Sequence, residues 1–303
     1  MSILLNWRQQ PGQQLDSIEI YRFAPRAVPN PNNLGTPYVV LAGTATSYED
    51  TAVDNYATYQ YRVVSVKGTD KVMGLPIIQA YYPQTGPGPQ DLLRGDWWNG
   101  YFGTLTPEEF FLNAAELNGL MGQSFTNQNV ALWHKFVYKG KILFIPDTPT
   151  ASGYTYNQMY SYGLVWGTND NGKFTPYNQT ARNQYRTVKK NGYEYVVRLP
   201  QCVDGGSFNT YYSSNPTTWT DGEWMNTWVR LFRMNVTAGY PARVSDLDPR
   251  AGSSAAEVGC ALMQQGYNNQ YAMYYRSTYY NNPSYVDVAS SATMYHVFEL
   301  VLS

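Results

Sequence analysis

The chain has 303 residues, which is enough for two domains, because single domains cluster at about 100 to 200 residues. Its 21 basic side chains nearly balance its 22 acidic ones, and charged residues make up 14% of the sequence against roughly 25% in an average soluble protein. No run of like charge supplies the basic patch that binds nucleic-acid phosphates or anionic membranes, so neither is an expected partner.

Tyrosine gives the sequence much of its polar character, with 29 copies in a chain that is 16% aromatic. Tyrosine combines a large apolar ring with a hydroxyl group and has little rotamer entropy to lose on binding. Aromatic residues also favour strands. The composition therefore indicates a β-rich protein with uncharged contact surfaces.

The start of the chain carries no basic segment followed by a long apolar stretch, and no segment approaches about 18 consecutive apolar residues. We therefore expect neither a secretion signal nor membrane insertion. Cys202 and Cys260 lie outside any CxxC spacing, so two free thiols are favoured over a disulfide bridge. No metal or cofactor is expected.

Residues 1–82 contain short apolar runs separated by turn residues, without a helical period. Pro, Gly, Asn and Asp lie between the runs, as they do between the strands of a sandwich. The predicted strands are residues 3–7, 17–23, 38–42, 58–66 and 76–82. We predict an all-β sandwich over residues 1–82.

Four features of this region occur in a familiar order. They are Trp7 in the first run, IEIYR at residues 18–22, SYEDT at residues 47–51 and YQYRVVSV at residues 59–66. In this order they resemble a fibronectin type III domain, in which the buried Trp lies on strand B and the Tyr-x-Tyr-Arg-Val run is strand F. The resemblance implies a sandwich that lacks strand A.

A sandwich that starts at strand B leaves backbone donors and acceptors unpaired along that strand, and native proteins usually cover such an edge. We predict that the strand with Ile3, Leu5 and Trp7 is this open edge. Another chain or the second domain is expected to cover it, by strand addition or by docking.

Residues 83–90, PQTGPGPQ, contain three prolines and two glycines and predict a linker. Residues 91–303 mix helix and hairpin signals, so we predict a second domain of the α+β class. The predicted architecture is thus mainly β, a fibronectin type III-like sandwich followed by a mixed domain with short helices and hairpins.

Three helix starts in the second domain have the capping-box pattern, in which Glu or Gln follows Ser or Thr by three residues. They are Thr106 with Glu109, ahead of the stripe Phe110, Ala114, Leu117 and Met121; Thr155 with Gln158; and Thr220 with Glu223, ahead of Trp224, Trp228 and Leu231. We expect the stripe and both tryptophans to be buried.

Two hairpins are predicted, each with turn residues between two apolar runs. They are residues 131–138 with 141–145 around Lys139-Gly140, and residues 185–189 with 193–199 around Asn191-Gly192. Residues 295–302 predict a closing strand within the same domain.

Residues 207–219 and 265–285 are rich in Tyr, Asn and Ser and predict extended surface loops. Ring faces beside amide groups suit the recognition of carbohydrate or protein. The candidate contact residues are Tyr211, Tyr212, Tyr267, Tyr271, Tyr279 and Tyr280.

Several motifs follow one another through the second domain. They are LRGD at 93–96 with GYFG at 100–103, WHKF at 133–136 with GKILFI at 140–145, GLVWG at 163–167, YVVRLP at 195–200, the Glu223-Trp224 helix and HVFEL at 296–300. This series resembles a family of structural proteins from tailed-bacteriophage virions. Residues 295–297 depart from the family's pattern, which has Trp-Arg-Pro before the final strand. The resemblance covers most of residues 91–303.

Catalytic signals are weak in this sequence. His134 and His296 each lie in an alternating apolar strand pattern, and the chain has neither Gly-x-Ser-x-Gly nor His-Glu-x-x-His. Asp246 and Asp248, with Asp221, could ligate calcium or supply the acid and nucleophile of a glycosidase. Asp246 and Asp248 precede a proline, however, and this pattern favours a turn. We predict that the protein is not an enzyme.

The resemblances together imply a structural component of a phage tail fibre, baseplate or collar. Such a protein is made in the bacterial cytoplasm, resides in the virion and contacts copies of itself and other virion proteins. A host-surface glycan or protein is a further candidate partner. The alternatives are a phage enzyme that degrades surface polysaccharide, which requires an acid pair in a cleft, and a secreted carbohydrate-binding module.

Overall fold

The computed structural model describes residues 1–9, 12–111, 113–125, 130–201, 222–228, 261–267, 271–275 and 283–302. Over these residues the protein is mainly β, built from antiparallel sheets with short helices, as the sequence predicts. The chain divides into two compact units. The first comprises Met1–Thr85 and Gly95–Trp98, and the second comprises Gly86–Arg94 and Asn99–Ser303.

The first unit is built from short strands arranged in two sheets. The strands are β1 (Ile3–Asn6), β2 (Ser17–Phe23), β3 (Val39–Ala42), β4 (Ser47–Asp50), β5 (Ala57–Lys67), β6 (Asp70–Met73) and β7 (Ile77–Tyr81). β1 pairs with β4, whereas the second sheet has the order β3-β2-β5-β6, with β7 paired to the start of β5. All five predicted runs contain a strand, which confirms them; β4 and β6 are additional strands.

Alternating side chains of both sheets form the core of the first unit. Ile3 and Leu5 of β1 are buried against Ile18, Ile20 and Tyr61 of the second sheet. This pattern follows from the two-residue period of a strand, which sends every second side chain to the same face. β6 escaped the sequence analysis because residues 70–72 are exposed, so no alternation marks it.

A buried carboxylate joins the two sheets of the first unit. Asp50 ends β4 and accepts hydrogen bonds from Tyr61 Oη at 2.7 Å, Arg22 Nη1 at 2.9 Å, Ala52 N at 3.0 Å and Tyr38 Oη at 3.1 Å. Burial opposes its ionisation, but these donors outweigh burial and lower the pKa of Asp50 below its ordinary value. The sandwich is thus closed by a charged group as well as by apolar packing.

The second unit continues with strands and three short helices. They are β8 (Arg94–Asp96), β9 (Asn99–Leu105), α1 (Ala114–Met121), β10 (Trp133–Tyr138), β11 (Lys141–Pro146), β12 (Ala151–Thr155), α2 (Tyr156–Tyr162), β13 (Thr187–Lys190), β14 (Tyr193–Arg198), α3 (Glu223–Asn226), β15 (Ala261–Tyr267), β16 (Tyr271–Tyr275), β17 (Pro283–Asp287), β18 (Ser291–Met294) and β19 (Val297–Leu300). The segment Gly95–Trp98, which includes the last two residues of β8, is counted with the first unit.

A seven-stranded sheet organises the second unit, in the order β13-β14-β19-β11-β10-β9-β8. β19, which the sequence predicts as a closing strand, pairs with β14 on one side and β11 on the other. An aromatic cluster forms around Phe110. Its ring centroid lies 4.5 Å from that of Phe144, 5.1 Å from that of Tyr195 and 5.9 Å from that of Phe298 in β19. The last strand of the chain therefore completes the centre of the sheet.

Both predicted hairpins are confirmed. β10 pairs with β11, with Trp133 opposite Pro146 at one end and Tyr138 opposite Lys141 at the other. β13 pairs with β14, with Thr187 opposite Val196 and Lys190 opposite Tyr193. Asn191 and Gly192 take φ angles of 53° and 83°, the positive values that a two-residue hairpin turn requires.

The first predicted helix is shorter than the sequence indicates. Residues 106–109 form a single turn, in which Glu109 accepts a hydrogen bond from Thr106 N at 2.7 Å, and α1 starts only after Asn113, which caps Glu116 N. Phe110 and Phe111 lie between, and both are buried. The two rings are therefore buried in the core ahead of α1.

The second helix agrees with its prediction and the third does not. α2 has the capping box of Thr155 and Gln158 and ends at Gly163, which has a φ of 76°. α3 has Gly222 as its N-cap, without a side-chain cap, and Glu223 is engaged elsewhere. Thr220 and Leu231 lie outside the described residues, whereas Trp224 and Trp228 are buried as predicted.

The predicted linker, residues 83–90, contains both exposed ends and a buried middle. The division between units falls after Thr85, and Thr85 and Gly86 are buried. Gly88 has a φ of 76°, and a side chain there would clash with Leu105. Glycine at this position therefore allows a close approach of the backbone to Leu105.

Candidate functional site

The strand β1 has one paired edge and one open edge among the described residues. Its partner is β4, with Ile3 opposite Asp50 and Asn6 opposite Ser47, and no other strand pairs with it. Trp7 continues the ladder, since its N–H donates to Thr46 O at 2.9 Å, and its ring Nε1 donates to Ala45 O at 2.9 Å. β1 is therefore firmly held on the β4 side.

The bond from Trp7 N to Thr46 O fixes which backbone groups point away from β4. In an antiparallel ladder, hydrogen-bonded pairs alternate with pairs that do not exchange bonds. Because Trp7 lies opposite Thr46 in a bonded pair, Leu5 and Ile3 are also in bonded pairs, whereas Asn6 and Leu4 are not. The N–H and C=O groups of Leu4 and Asn6 therefore face the open edge.

These outward groups make no hydrogen bond within the described part of the chain. The Leu4 side chain is 59% exposed, and Asn6 is exposed as well. Native sheets guard open edges with charges, prolines, bulges or covering segments. β1, with the sequence ILLN, has neither a charge nor a proline and pairs with β4 without a bulge.

The strand predicted as the open edge, marked by Ile3, Leu5 and Trp7, corresponds to β1 and its continuation. Ile3 and Leu5 are buried in the core and their backbone groups pair with β4, while Trp7 is half-buried. The groups available to a partner belong to Leu4 and Asn6. The alternation of a half-buried strand could have revealed this, because the exposed residues between the core positions also direct their backbone groups away from the partner strand.

The candidate tyrosines are only partly described. Tyr211, Tyr212, Tyr279 and Tyr280 lie outside the described residues. Tyr267 ends β15 and Tyr271 begins β16, and the two residues lie opposite each other in the ladder. Residues 261–287 therefore contain a three-stranded antiparallel sheet, β15-β16-β17, where the sequence predicts a loop. Tyrosine is a good strand residue, and the Asn-rich composition masked that preference.

Both histidines are buried and hydrogen-bonded. His134 Nδ1 lies 3.0 Å from Tyr101 Oη, and His296 Nδ1 lies 2.7 Å from Thr150 Oγ1. Burial lowers the pKa of His296 to about 4, so its imidazole is neutral at pH 7. The Nδ1 atom of each ring therefore has a hydrogen-bonding neighbour within the core.

Lys135 is a buried cation on β10 that holds the Pro/Gly segment. Its Nζ donates to Pro89 O at 2.6 Å and to Pro87 O at 3.0 Å, and it lies 4.8 Å from the centroid of the Phe102 ring. Burial lowers the pKa of Lys135 to about 7. Carbonyl dipoles and a ring face take the place of a carboxylate as partners of this ammonium group.

A second buried cation, Arg198, organises a chain of charges across three adjacent strands. Its guanidinium donates to both carboxylate oxygens of Glu223, at 2.8 and 2.6 Å, and to Glu299 at 2.9 Å. Lys141 donates to Glu299 at 2.9 Å. Arg198 and Glu223 are each 1% exposed, whereas Lys141 lies at the surface.

In this network Glu223 has both carboxylate oxygens bound, and Glu299 has its Oε2 bound to Arg198 and Lys141. Burial opposes ionisation of Glu299, but the charges of Arg198 and Lys141 outweigh it and lower the pKa of Glu299. Glu223 also accepts a hydrogen bond from Gln201 N at 3.2 Å. The geometry suits a structural anchor that fastens α3 to the sheet, because both oxygens of Glu223 are already engaged.

The remaining candidates are three acidic residues and two cysteines. Asp221, Asp246, Asp248, Cys202 and Cys260 all lie outside the described residues. Within the described ranges, no three His, Cys, Asp or Glu side chains come together in a way that could hold a metal ion. None of the helices described here is both long and apolar enough to cross a bilayer.

No protein-family model, no curated protein and no solved structure matches this chain.

Proposed function

We propose that this chain is a structural component of a tailed-phage virion appendage, such as a tail fibre, baseplate or collar, and that it assembles through the open edge of β1. The observation that carries the proposal is this edge, whose outward backbone groups on Leu4 and Asn6 lack hydrogen bonds within the described residues. An unguarded edge recruits another strand, so natural proteins keep one where a partner covers it.

The strand order of the first unit supports the resemblance on which the proposal rests. A two-stranded sheet, β1-β4, packs on a sheet with the order β3-β2-β5-β6, an arrangement compatible with a fibronectin type III-like sandwich. A small sandwich of this kind acts as a rigid module that presents an edge at a fixed position. Rigid presentation favours assembly, because little ordering entropy is lost on binding.

The second unit supports the same proposal through its buried charges. Lys135 is bound to backbone carbonyls, and Glu223 is bound to Arg198 and Gln201. These groups fasten segments of the chain to the seven-stranded sheet. Such anchoring suits a protein that must keep its shape in a particle, whereas a general acid or base needs a carboxyl group or amine that can reach a substrate.

The test is to label purified phage particles with gold-conjugated antibody raised against the whole chain, followed by cryo-electron microscopy of the labelled region. We expect label at a fibre, baseplate or collar. Antibody that has been absorbed with the recombinant chain is the matched control and should give none. Absence of label on intact particles, with the chain found instead in the soluble lysate or the medium, would contradict the proposal and favour a polysaccharide-degrading enzyme or a secreted carbohydrate-binding module.

A further inference from the structure

We propose that the partner of the open β1 edge is β1 of a second copy of this chain, paired antiparallel about a two-fold axis that passes beside Leu4. This inference rests on the proposed function and specifies the contact that the assembly uses. The product is a continuous four-stranded antiparallel sheet with the order β4-β1-β1-β4, which spans both copies.

The ladder between β1 and β4 determines the register of this pairing. Outward N–H and C=O groups occur on every second residue, at Leu4 and Asn6 and, by continuation of the alternation, at Ser2. An antiparallel strand can bond them only if it presents its own outward groups opposite. With Leu4 at the axis, Leu4 faces Leu4 of the second copy, and Ser2 faces Asn6, so every outward group finds a partner.

Side-chain chemistry is compatible with this register on both faces of the sheet. On the outer face, two Leu4 side chains, each 59% exposed in the single chain, lie opposite each other at about 5.5 Å between Cα atoms. Ser2 and Asn6 flank them, and both can hydrogen-bond. On the core face, Ile3 of one copy lies opposite Leu5 of the other, which extends the apolar core across the junction.

The absence of charge on β1 is compatible with a second copy of this chain as the occupant. Pairing about a two-fold axis places like residues near one another, and like charges directly opposite each other are destabilising. β1 carries no charged residue, so self-pairing meets no such repulsion. The edge strand β6 carries Asp70 and Lys71 and β4 carries Glu49, which are charges that guard against such pairing. The edge strand β3, with the sequence VVLA, is uncharged like β1, so a variant on β3 is needed to distinguish the two edges.

The contact is small, since it involves one short strand per copy, and stable dimers bury about 1,600 Å² in total. We therefore expect weak association of the free chain in solution. In an assembled particle, other contacts hold the copies close together, and the resulting effective concentration makes the same pairing persistent.

The test uses charge at the axis. Leu4→Lys places two ammonium groups opposite each other and Leu4→Glu places two carboxylates, whereas an equimolar mixture of the two variants pairs opposite charges. In sedimentation equilibrium of the full chain at the highest attainable concentration, we expect wild type to show a concentration-dependent dimer, each variant alone to be monomeric, and the mixture to recover the dimer. Val40→Lys is the matched control, since Val40 is 56% exposed on the edge strand β3, and it should dimerise like wild type.

A second variant removes the backbone donor and leaves the fold intact. Leu4 N–H points away from β4, so Leu4→Pro deletes an outward donor without breaking the β1–β4 ladder. We expect a monomer with a wild-type circular dichroism spectrum. In particles, Leu4→Cys should form a disulfide-linked dimer on mild oxidation, because the expected Cα separation of about 5.5 Å permits a disulfide, whereas Val40→Cys should not.

Two results would overturn the self-pairing. One is a wild-type chain that stays monomeric and gives no Leu4→Cys dimer in particles; the other is a dimer that the Leu4→Lys variant retains unchanged. Labelled virions together with either result reject self-pairing and leave the proposed function standing. A charge-dependent dimer without virion label supports self-pairing and rejects the virion role.

Discussion

The Asp50 carboxylate is buried and accepts four hydrogen bonds, through which the end of β4 is joined to Tyr61 and Arg22 of the opposite sheet. All four partners are donors. An amide at this position would direct its own N–H groups at donors, and it would leave the Arg22 guanidinium without its counter-charge. The contribution of Asp50 therefore depends on its ionised form.

We predict that Asp50→Asn destabilises the first unit by about 2 kcal/mol, since hydrogen bonds to charged groups contribute about 1.5 to 3 kcal/mol each and part of the network survives. Hydrogen exchange of peptides from β2 and β5 measures the change. Glu49→Gln, at the neighbouring exposed position, is the control and should leave exchange unchanged. Equal exchange in both variants would show that Asp50 contributes no more than a surface residue.

The same carboxylate is expected to make the first unit less stable at acidic pH. The pKa of Asp50 in the folded chain is lower than its ordinary value. Its contribution is therefore fully present above the unfolded-state pKa, about 3.9, and is lost as the pH falls through the folded-state value. We expect a steeper loss of stability below about pH 4 in wild type than in Asp50→Asn, as measured by urea unfolding at a series of pH values.

The Lys135 ammonium group is expected to make the stability of the second unit depend on pH, because burial lowers its pKa. Burial lowers its pKa to about 7, whereas an unfolded chain keeps the ordinary value near 10.4. Between these values the unfolded chain binds more protons than the folded chain, so stability rises with pH. Urea unfolding of wild type from pH 7 to 9, below the titration of ordinary tyrosines, should show this rise.

The matched variant for this measurement is Lys135→Met, which keeps the length of the side chain and removes the titrating group. It should lack the rise. An identical slope in both proteins would assign the pH dependence to other groups and show that the carbonyls of Pro87 and Pro89 keep Lys135 fully protonated.

At the scale of elements, α3 shows how a short helix depends on tertiary contacts. It has four residues and no side-chain cap, and isolated helices of this length are unstable in water. Its first residue, Glu223, is held by Arg198, and Trp224 packs on Tyr295 with ring centroids 5.4 Å apart. The sheet therefore holds α3 in place.

We predict that Glu223→Gln releases α3, because breaking a buried ion pair leaves an uncompensated charge on Arg198 and costs about 3 to 5 kcal/mol. Hydrogen exchange of residues 222–228 should rise strongly, with a loss of stability of the second unit. Glu194→Gln is the control, because its partner Lys189 is 78% exposed at 3.5 Å and such pairs contribute about 0 to 1 kcal/mol. If the two variants behave alike, Arg198 does not anchor α3.

At the scale of the whole molecule, the first unit is not continuous in sequence. Gly95–Trp98 belongs to it, although residues 86–94 belong to the second unit. The Trp97 ring stacks on Tyr82 at 5.3 Å, and Asp96 accepts a hydrogen bond from Arg26 at 2.7 Å. The sandwich is thus completed by residues that follow the segment predicted as a linker.

We predict that Trp97→Ala weakens the first unit by about 1 to 3 kcal/mol, since it removes most of the apolar burial of one aromatic ring together with its stacking contact. Exchange of the peptide that covers β7 and Tyr82 should increase. Leu93→Ala is the control, since Leu93 is 67% exposed nearby and should have no effect. An unchanged β7 peptide would mean that residues 1–85 form the sandwich without this contribution.

Local signals in the sequence determined the elements that depend on neighbouring residues. The alternation of β1, β2 and β5, the Asn191-Gly192 turn, and the cap of α2 by Thr155 are all readable because each feature is satisfied within a few residues. For the same reason the mainly β class followed from composition and periodicity.

Only the tertiary structure decided which local signals were used. It buried Phe110 and Phe111 ahead of a helix that starts only at Ala114, redirected Glu223 from a cap to Arg198, and packed Gly88 against Leu105. It also placed the open edge of β1 on Leu4 and Asn6, because the identity of the bonded partner strand decides which backbone groups are left over. These outcomes depend on contacts between residues far apart in the chain, and neither composition nor periodicity records which distant residues meet.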